Sequence, residues 1–416
     1  MRNIFIFSAF LLSFVVVHAQ RTCATSIKMN ELFEKDAKFK QHHQEVMNYI
    51  RNPESVNSIF KKRTTAATVV TIPVVFHILY KNDTENVSDE QIMSQLTVLN
   101  ADYRKLNADF SSVVPSAFQS LGADMQIQFC IATKTPSGTT TTGVVRKSVS
   151  SSFVFEDSYY TANGDAAWDT TKYLNIWVGS FSDTSLLGFA YFPSSAGQSN
   201  DGLCISFDAF GTTGTATTPF NKGRTATHEI GHYFGLDHPW GDDNSSCGTS
   251  RNSDGISDTP ATSGPYSGCP IFPSNSKACT ASPNGSMFMN YMDYVNDRCM
   301  AFFTNGQKIV VQNTLSSSRL SLLSSSGCTA LGLDDQSAID AIALYPNPAS
   351  QYFNITSLQI IIDEVDIFDS NGRLVKNQKL TQINNIITIE DLASGIYFVR
   401  IYAEGKFLKS DKFIKK

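Results

Sequence analysis

No stretch of this chain constrains its fold more tightly than residues 225–240, Thr-Ala-Thr-His-Glu-Ile-Gly-His-Tyr-Phe-Gly-Leu-Asp-His-Pro-Trp. His228 and His232 are four residues apart, so on a helix they share one face and can meet one ion. Gly235 can end that helix in a left-handed conformation that a side chain would oppose. The chain then turns, and His238 completes a set of three imidazoles from outside the helix. Zinc suits three neutral imidazoles and keeps a fourth position for water. Glu229, next to the first ligand, is placed to take that water's proton. Beyond residue 63 the chain has four histidines, and three of them lie in this motif. The fourth, His77, sits on an apolar strand and reads as a core or hydrogen-bonded histidine without a role.

The remaining sequence describes an exported, multi-part chain. Its 416 residues suggest two to three domains. Hydrophobic residues make up 42% and charged residues 17%, enough for a sizeable core and too ordered a composition for a disordered chain. The net charge is −5 and no long basic run occurs, which argues against a nucleic-acid partner. Arg2, the apolar run Ile4–Val17 and Val17-His18-Ala19 form a signal peptide, residues 1–19. No apolar run of membrane-spanning length follows, so the mature form is expected to have no integral membrane segment. Residues 20–63 are polar and helix-prone and end in Lys61-Lys62-Arg63, the mark of a pro-segment cut before a small-residue linker. Export makes the eight cysteines disulfide candidates. Cys247, Cys269, Cys279 and Cys299 crowd the irregular segment 241–300, and spacing alone permits three pairings.

From Val69 the pattern becomes β-rich. Val69–Tyr80, Met125–Thr133, Tyr173–Val178, Gly188–Phe192 and Leu203–Phe207 read as strands. Ser88–Gln91 is a capping box that opens an amphipathic helix carrying Ile92, Leu96, Leu99 and Tyr103. A second helix is expected over about 221–234. These elements predict an α/β (α+β) domain with a twisted mixed sheet over residues 64–328. Ser316–Ser326 reads as a helix end followed by linker, with residues 329–338 as the linker proper. Residues 339–416 alternate in short strands, with turn signals at Asn371-Gly372 and Glu404-Gly405, and predict an all-β sandwich.

The zinc motif, with Asn290-Tyr291-Met292-Asp293-Tyr294 downstream, resembles the metzincin endopeptidases. The surroundings Gly223–His232, Lys172–Val178, Asp254–Pro260 and Tyr291–Met300 look specifically like the pappalysin branch, the cytophagalysin and ulilysin-like members. The resemblance spans about residues 68–320. It implies a Met-turn in which Met292 floors the three-histidine site. It implies that Tyr294 donates to an oxyanion and that Gly188–Phe192 is a cleft-edge strand accepting an extended peptide. It implies a calcium loop with Asp254, Asp258 and Thr259 as candidate ligands, and disulfides Cys247–Cys279 and Cys269–Cys299. Asp297 becomes a candidate for a pocket preferring basic P1′ residues. Cys23 becomes a candidate zymogen switch whose thiolate fills the open zinc position. A disulfide from Cys23 to Cys130, Cys204 or Cys328 is the alternative.

Tyr345-Pro346-Asn347-Pro348-Ala349, Asp369–Arg373, Gly395–Val399 and Lys412–Lys415 resemble the sorting domain of the type IX secretion system, over about 340–416. This implies passage to the cell surface or medium by a dedicated secretion machinery. The expected activity is that of a secreted zinc endopeptidase, made latent, acting on protein or peptide substrates with Glu229 as general base. Two other classes compete with it. One is a zinc-stabilised surface adhesin, which has no need of an intact Glu229. The other is a zinc hydrolase of non-peptide amides.

Overall fold

The computed structural model describes residues 22–52, 69–241, 247, 254–328 and 342–416, apart from 358–359, 361, 381–385 and 404. The expected signal peptide 1–19, the expected Lys61-Lys62-Arg63 boundary and the expected linker 329–338 lie outside the described residues.

From the N-terminus, a two-residue strand β1 (Thr22–Cys23) leads into helices α1 (Thr25–Lys35) and α2 (Ala37–Arg51). Asp36 starts α2 because its carboxylate accepts Lys38 N–H at 2.8 Å and Phe39 N–H at 3.2 Å. Strand β2 (Val70–Tyr80), helix α3 (Asp89–Tyr103) and strands β3 (Ile127–Ile131), β4 (Val144–Ser148), β5 (Leu174–Gly179), β6 (Leu186–Ala190) and β7 (Leu203–Ser206) follow. Among the described residues they form a seven-stranded sheet in the order β1-β6-β7-β5-β2-β3, with β4 also on β2. One side of β2 pairs with β3 along Val70–Val74 and with β4 along Phe76–Tyr80, both parallel. Its other side pairs with β5, also parallel. A strand packed on both faces reads as a continuous apolar run, and β2 does. Only β6 runs against its neighbour β7.

The active-site helix (Arg224–Tyr233) packs on α3, β6 and β7. Its whole length is buried. The helix Asn305–Leu315 closes the lower part, and its capping box joins Thr304 and Gln307.

Three local expectations change. At α3, Ser88 Oγ accepts Gln91 N–H at 3.2 Å, one half of the expected capping box. The Gln91 amide does not turn back. It donates instead to Phe210 O at 2.7 Å and Phe207 O at 3.1 Å, holding the loop after β7. The Gln91 oxygen that would close the cap accepts Thr215 N–H at 3.1 Å instead, so the loop's buried polar groups outcompete the local cap. Second, Ser316–Ser326 is no linker. Arg319 is buried, with Nη1 and Nη2 paired to Asp201 at 2.7 and 2.8 Å and Nε donating to Tyr233 O at 2.7 Å. Leu322 is buried beside it, and Cys328 is bridged to Cys130. Third, Leu374–Lys379 forms a strand that its polar sequence conceals.

The C-terminal part is all-β. Strands β8 (Ala343–Tyr345), β9 (Tyr352–Thr356), β10 (Glu364–Phe368), β11 (Leu374–Lys379), β12 (Ile386–Thr388), β13 (Gly395–Ala403) and β14 (Lys406–Lys415) make two antiparallel sheets, β11-β10-β13-β14 and β12-β9-β8. Phe353, Ile355, Val365, Ile367, Val399, Ile401 and Phe413 fill a core of their own. Asn347 caps the outer edge of β14, donating to Lys412 O at 2.8 Å and accepting Ile414 N–H at 3.0 Å. An edge strand managed in this way is less open to stray pairing.

The Arg319–Asp201 pair yields a stability prediction. Arg319→Ala leaves Asp201 buried without its partner and is expected to lower unfolding free energy by about 3–5 kcal/mol in urea titration. Arg104→Ala, which breaks the more exposed pair with Asp124, is expected to cost under about 1 kcal/mol.

Candidate metal centre and active site

The active-site helix stops where the sequence indicates. Gly235 has φ 92°. Gly235 N–H donates to His232 O at 2.8 Å and Leu236 N–H to Gly231 O at 2.9 Å, a Schellman ending. The turn brings His238 back over the helix. His228, His232 and His238 are all buried.

The hydrogen bonds of the imidazoles decide which nitrogen faces the centre. His228 Nδ1 lies 2.7 Å from Tyr291 O and His232 Nδ1 lies 2.7 Å from Leu236 O. A carbonyl only accepts, so both Nδ1 atoms carry the proton and both Nε2 atoms present lone pairs. Burial pushes the His232 pKa down to about 4 and that of His238 well down, so both rings are neutral. The three Nε2 atoms are 3.0, 3.2 and 3.3 Å apart. Four-coordinate zinc with bonds of about 2.0–2.1 Å puts ligand nitrogens about 3.3–3.4 Å apart, so the set fits that ion.

Cys23 Sγ joins this group, and the four ligand atoms lie within 4.8 Å of one another. Cys23 arrives on β1, which pairs parallel with β6, Cys23 opposite Gly188. Its sulfur is 3.3 Å from Glu229 Oε2. Burial, then the Glu229 charge, push this thiol up. A divalent cation is the charge that reverses that preference. Thr25, which the sequence reading missed, donates to Glu229 Oε2 at 3.2 Å and accepts Ala190 N–H at 2.9 Å. Its hydroxyl therefore ties the start of α1 to both Glu229 and strand β6. Cys204 is buried and, like Cys23, unbridged.

The floor and rim fall into place around this centre. A Cβ on Gly231 would lie 2.4 Å from Met292 Sδ, so the glycine lets the methionine approach the helix between two ligands. A Cβ on Gly188 would lie 3.0 Å from Glu229 Cγ, so β6 passes directly against the Glu229 side chain. Tyr294 packs its ring on His238 at 5.0 Å, and its hydroxyl donates to Cys23 O at 3.4 Å. Trp240, also missed, stacks on His238 at 4.5 Å and 7° and so holds the ligand from outside the helix.

The other expected residues are more dispersed. Asp254 accepts Thr259 Oγ1–H at 2.7 Å and Ile256 N–H at 2.9 Å, and burial raises its pKa to about 7. Asp258 faces elsewhere, accepting Thr304 Oγ1–H and Gly306 N–H, each at 2.8 Å, at the start of the helix Asn305–Leu315. Asp297 is buried, and its Oδ2 accepts Lys222 N–H at 2.8 Å and Arg224 N–H at 3.3 Å at the start of the active-site helix. Cys247–Cys279 and Cys269–Cys299 are bridged, as the resemblance implies. His77 is buried between Asp165 and Asn175, at 2.6 and 3.0 Å, far in sequence from the motif and outside the ligand group.

A metal-binding prediction follows from the three nitrogens. His238→Ala removes the ligand that comes from outside the helix. Zinc retained after gel filtration, read by atomic emission, is expected to fall by about tenfold or more against the unaltered chain.

Comparison with known proteins agrees with this geometry. Residues 158–316 match the family model described as pregnancy-associated plasma protein-A, and residues 343–416 match the secretion system C-terminal sorting domain. An extracellular metalloprotease of Pyricularia oryzae is 30% identical over 311 residues, covering 73% of this chain and 92% of the relative. One of Neurospora crassa is 36% identical over 173 residues, covering 38% of this chain and 57% of the relative. A promirolysin mutant structure from Tannerella forsythia is 39% identical with TM-score 0.65, covering 73% of this chain and 97% of that one. Mature mirolysin in complex with a cleaved peptide is 43% identical with TM-score 0.57, covering 62% and 97%. The sorting domain and the extracellular relatives put the site of action at the cell surface or beyond. On this combined evidence the chain belongs to the pappalysin family of zinc metalloendopeptidases.

Proposed function

We propose that this secreted metallo-endopeptidase is made as a latent zymogen and cleaves extended segments of extracellular proteins once its N-terminal residues are removed. The observation that carries this reading is the meeting of Cys23 Sγ with the three imidazole nitrogens, beside Glu229. In the latent form Cys23 takes the fourth position, β1 covers β6, and Thr25 occupies the Glu229 carboxylate. Helix α2 continues the cover. His43 Nδ1 lies 2.9 Å from Ser194 Oγ, Asn313 Nδ2–H donates to Ile50 O at 2.7 Å, and Arg51 pairs with Asp237 in the turn before His238. The similar solved chains include a pro-form and a mature form, which supports the reading.

Zinc, when bound, supplies Lewis acidity and a water acidified towards neutral pH. Glu229 accepts the proton of the attacking water and passes it to the leaving amine. Tyr294, freed from the Cys23 carbonyl, donates to the developing oxyanion. Strand β6, freed from β1, is the sheet edge to which an extended substrate adds. A preference for basic P1′ residues, with Asp297 as its acidic group, is proposed on the family resemblance. A structural calcium is proposed at Asp254 and Thr259, with Asp258 reserved for the helix it caps.

Cleavage of a peptide library by the processed enzyme tests the mechanism. Glu229→Ala at equal zinc content is expected to lose about 10²–10⁴-fold in kcat, and equal cleavage by the variant would remove Glu229 from the mechanism. Latency has a separate test. Arg51→Ala leaves Asp237 buried without its partner, and the full chain is expected to reach activity about tenfold sooner or more in progress curves. An unchanged lag would show that α2 contributes nothing to latency.

A further inference from the structure

His228 and His232 are held in different ways, and the difference points to a residue outside the motif. His232 finds its carbonyl at Leu236, inside the turn that ends its own helix. His228 finds its carbonyl at Tyr291, sixty-three positions along the chain. The first orientation is local. The second needs a tertiary clamp between the active-site helix and the segment that carries Met292.

One carboxylate makes that clamp. Asp102, near the end of α3, is buried, and its two oxygens divide between the two partners. Oδ1 accepts the Tyr291 hydroxyl at 2.6 Å, and Oδ2 accepts the Thr227 hydroxyl at 2.9 Å. Thr227 precedes His228 in the helix, and Tyr291 supplies the acceptor for the His228 ring. The neighbouring Tyr103 hydroxyl donates to Thr227 O at 3.1 Å, fixing the same turn from the same helix. Arg224 provides nearby positive charge at 3.6 Å from Asp102, but its shorter bond, 2.8 Å, goes to Asp109. The short bonds of Asp102 are therefore those to the two hydroxyls.

We propose that Asp102 is a positioning residue for the metal centre, fixing His228 through Thr227 on one side and Tyr291 on the other. It touches neither the ion nor substrate. It sets the distance between the helix turn that carries the ligand and the carbonyl that orients its ring, so that Nε2 points at the other two nitrogens. Partners of metal-ligating histidines commonly change metal affinity by 10- to 100-fold when removed. Asp102 governs such a partner from one step further out. The proposal rests on the reading that the three histidines hold zinc.

Zinc affinity of the full chain, measured by competition with a chromophoric chelator, tests it together with the visible spectrum of the cobalt-substituted protein. Zinc binding by the unaltered chain checks the metal reading first, and its absence would overturn that reading and the Asp102 role with it. Asp102→Asn keeps the shape and loses the double acceptor. Tyr291→Phe and Thr227→Val each remove one hydroxyl. Each of the three is expected to weaken zinc binding by about tenfold or more and to alter the cobalt spectrum, with far-ultraviolet circular dichroism unchanged. Thr227→Ser retains the hydroxyl and is expected to bind within about twofold of the unaltered chain. Folded Asp102→Asn or Tyr291→Phe with unaltered zinc affinity and cobalt spectrum would overturn the proposal. Tyr291→Phe, losing a single oxygen, keeps the test decisive if Asp102→Asn does not fold.

Discussion

Three imidazole nitrogens converge to 3.0–3.3 Å of one another, those of His228 and His232 with their lone pairs inward, and the surrounding structure is organised around that convergence. Such an arrangement repels itself unless a cation sits in the middle. Each surrounding feature serves that convergence. Gly235 permits the turn that returns His238, Gly231 admits Met292, and two backbone carbonyls fix the tautomers of His228 and His232. The mixed sheet supplies the platform, with β6 pressed against Glu229 through the bare Cα of Gly188.

The N-terminal residues use the same constraint in reverse. The Cys23 thiol is brought beside the three imidazoles on a strand added to the sheet edge, and the Thr25 hydroxyl bonds the Glu229 carboxylate. Two helices then spread the attachment over a wide area, through Lys28 with Asp157, His43 with Ser194, and Arg51 with Asp237. The proposed latency therefore couples a local block at the metal centre to a distributed interface.

The convergence of the three histidines was legible because it is written at helical spacing. His228 and His232 share a face by periodicity, and Gly235 announces the turn that His238 needs. The central strand β2 was legible as a β-rich and mostly apolar run, and most sandwich strands by their alternation and turns. What stayed hidden depends on tertiary partners. Nothing near Arg319 reveals that Asp201 awaits it, so a buried segment reads as linker. Leu374–Lys379 alternates polar residues on an open face and lacks the apolar signal of a strand. Asp258 looks like a cation ligand beside Asp254, yet its carboxylate is committed to the backbone of a helix that begins 47 positions later. Asp102 and Arg51 carry no motif at all, since their partners lie 125 and 186 positions away.

X-ray absorption at the zinc edge of the purified full chain reads the proposed Cys23 ligation from the metal itself. The account predicts three nitrogen neighbours at about 2.0–2.1 Å and one sulfur at about 2.3 Å, with the sulfur lost in Cys23→Ala and in the processed enzyme. A latent protein whose zinc has nitrogen and oxygen neighbours only, with the N-terminal helices still attached, would contradict it.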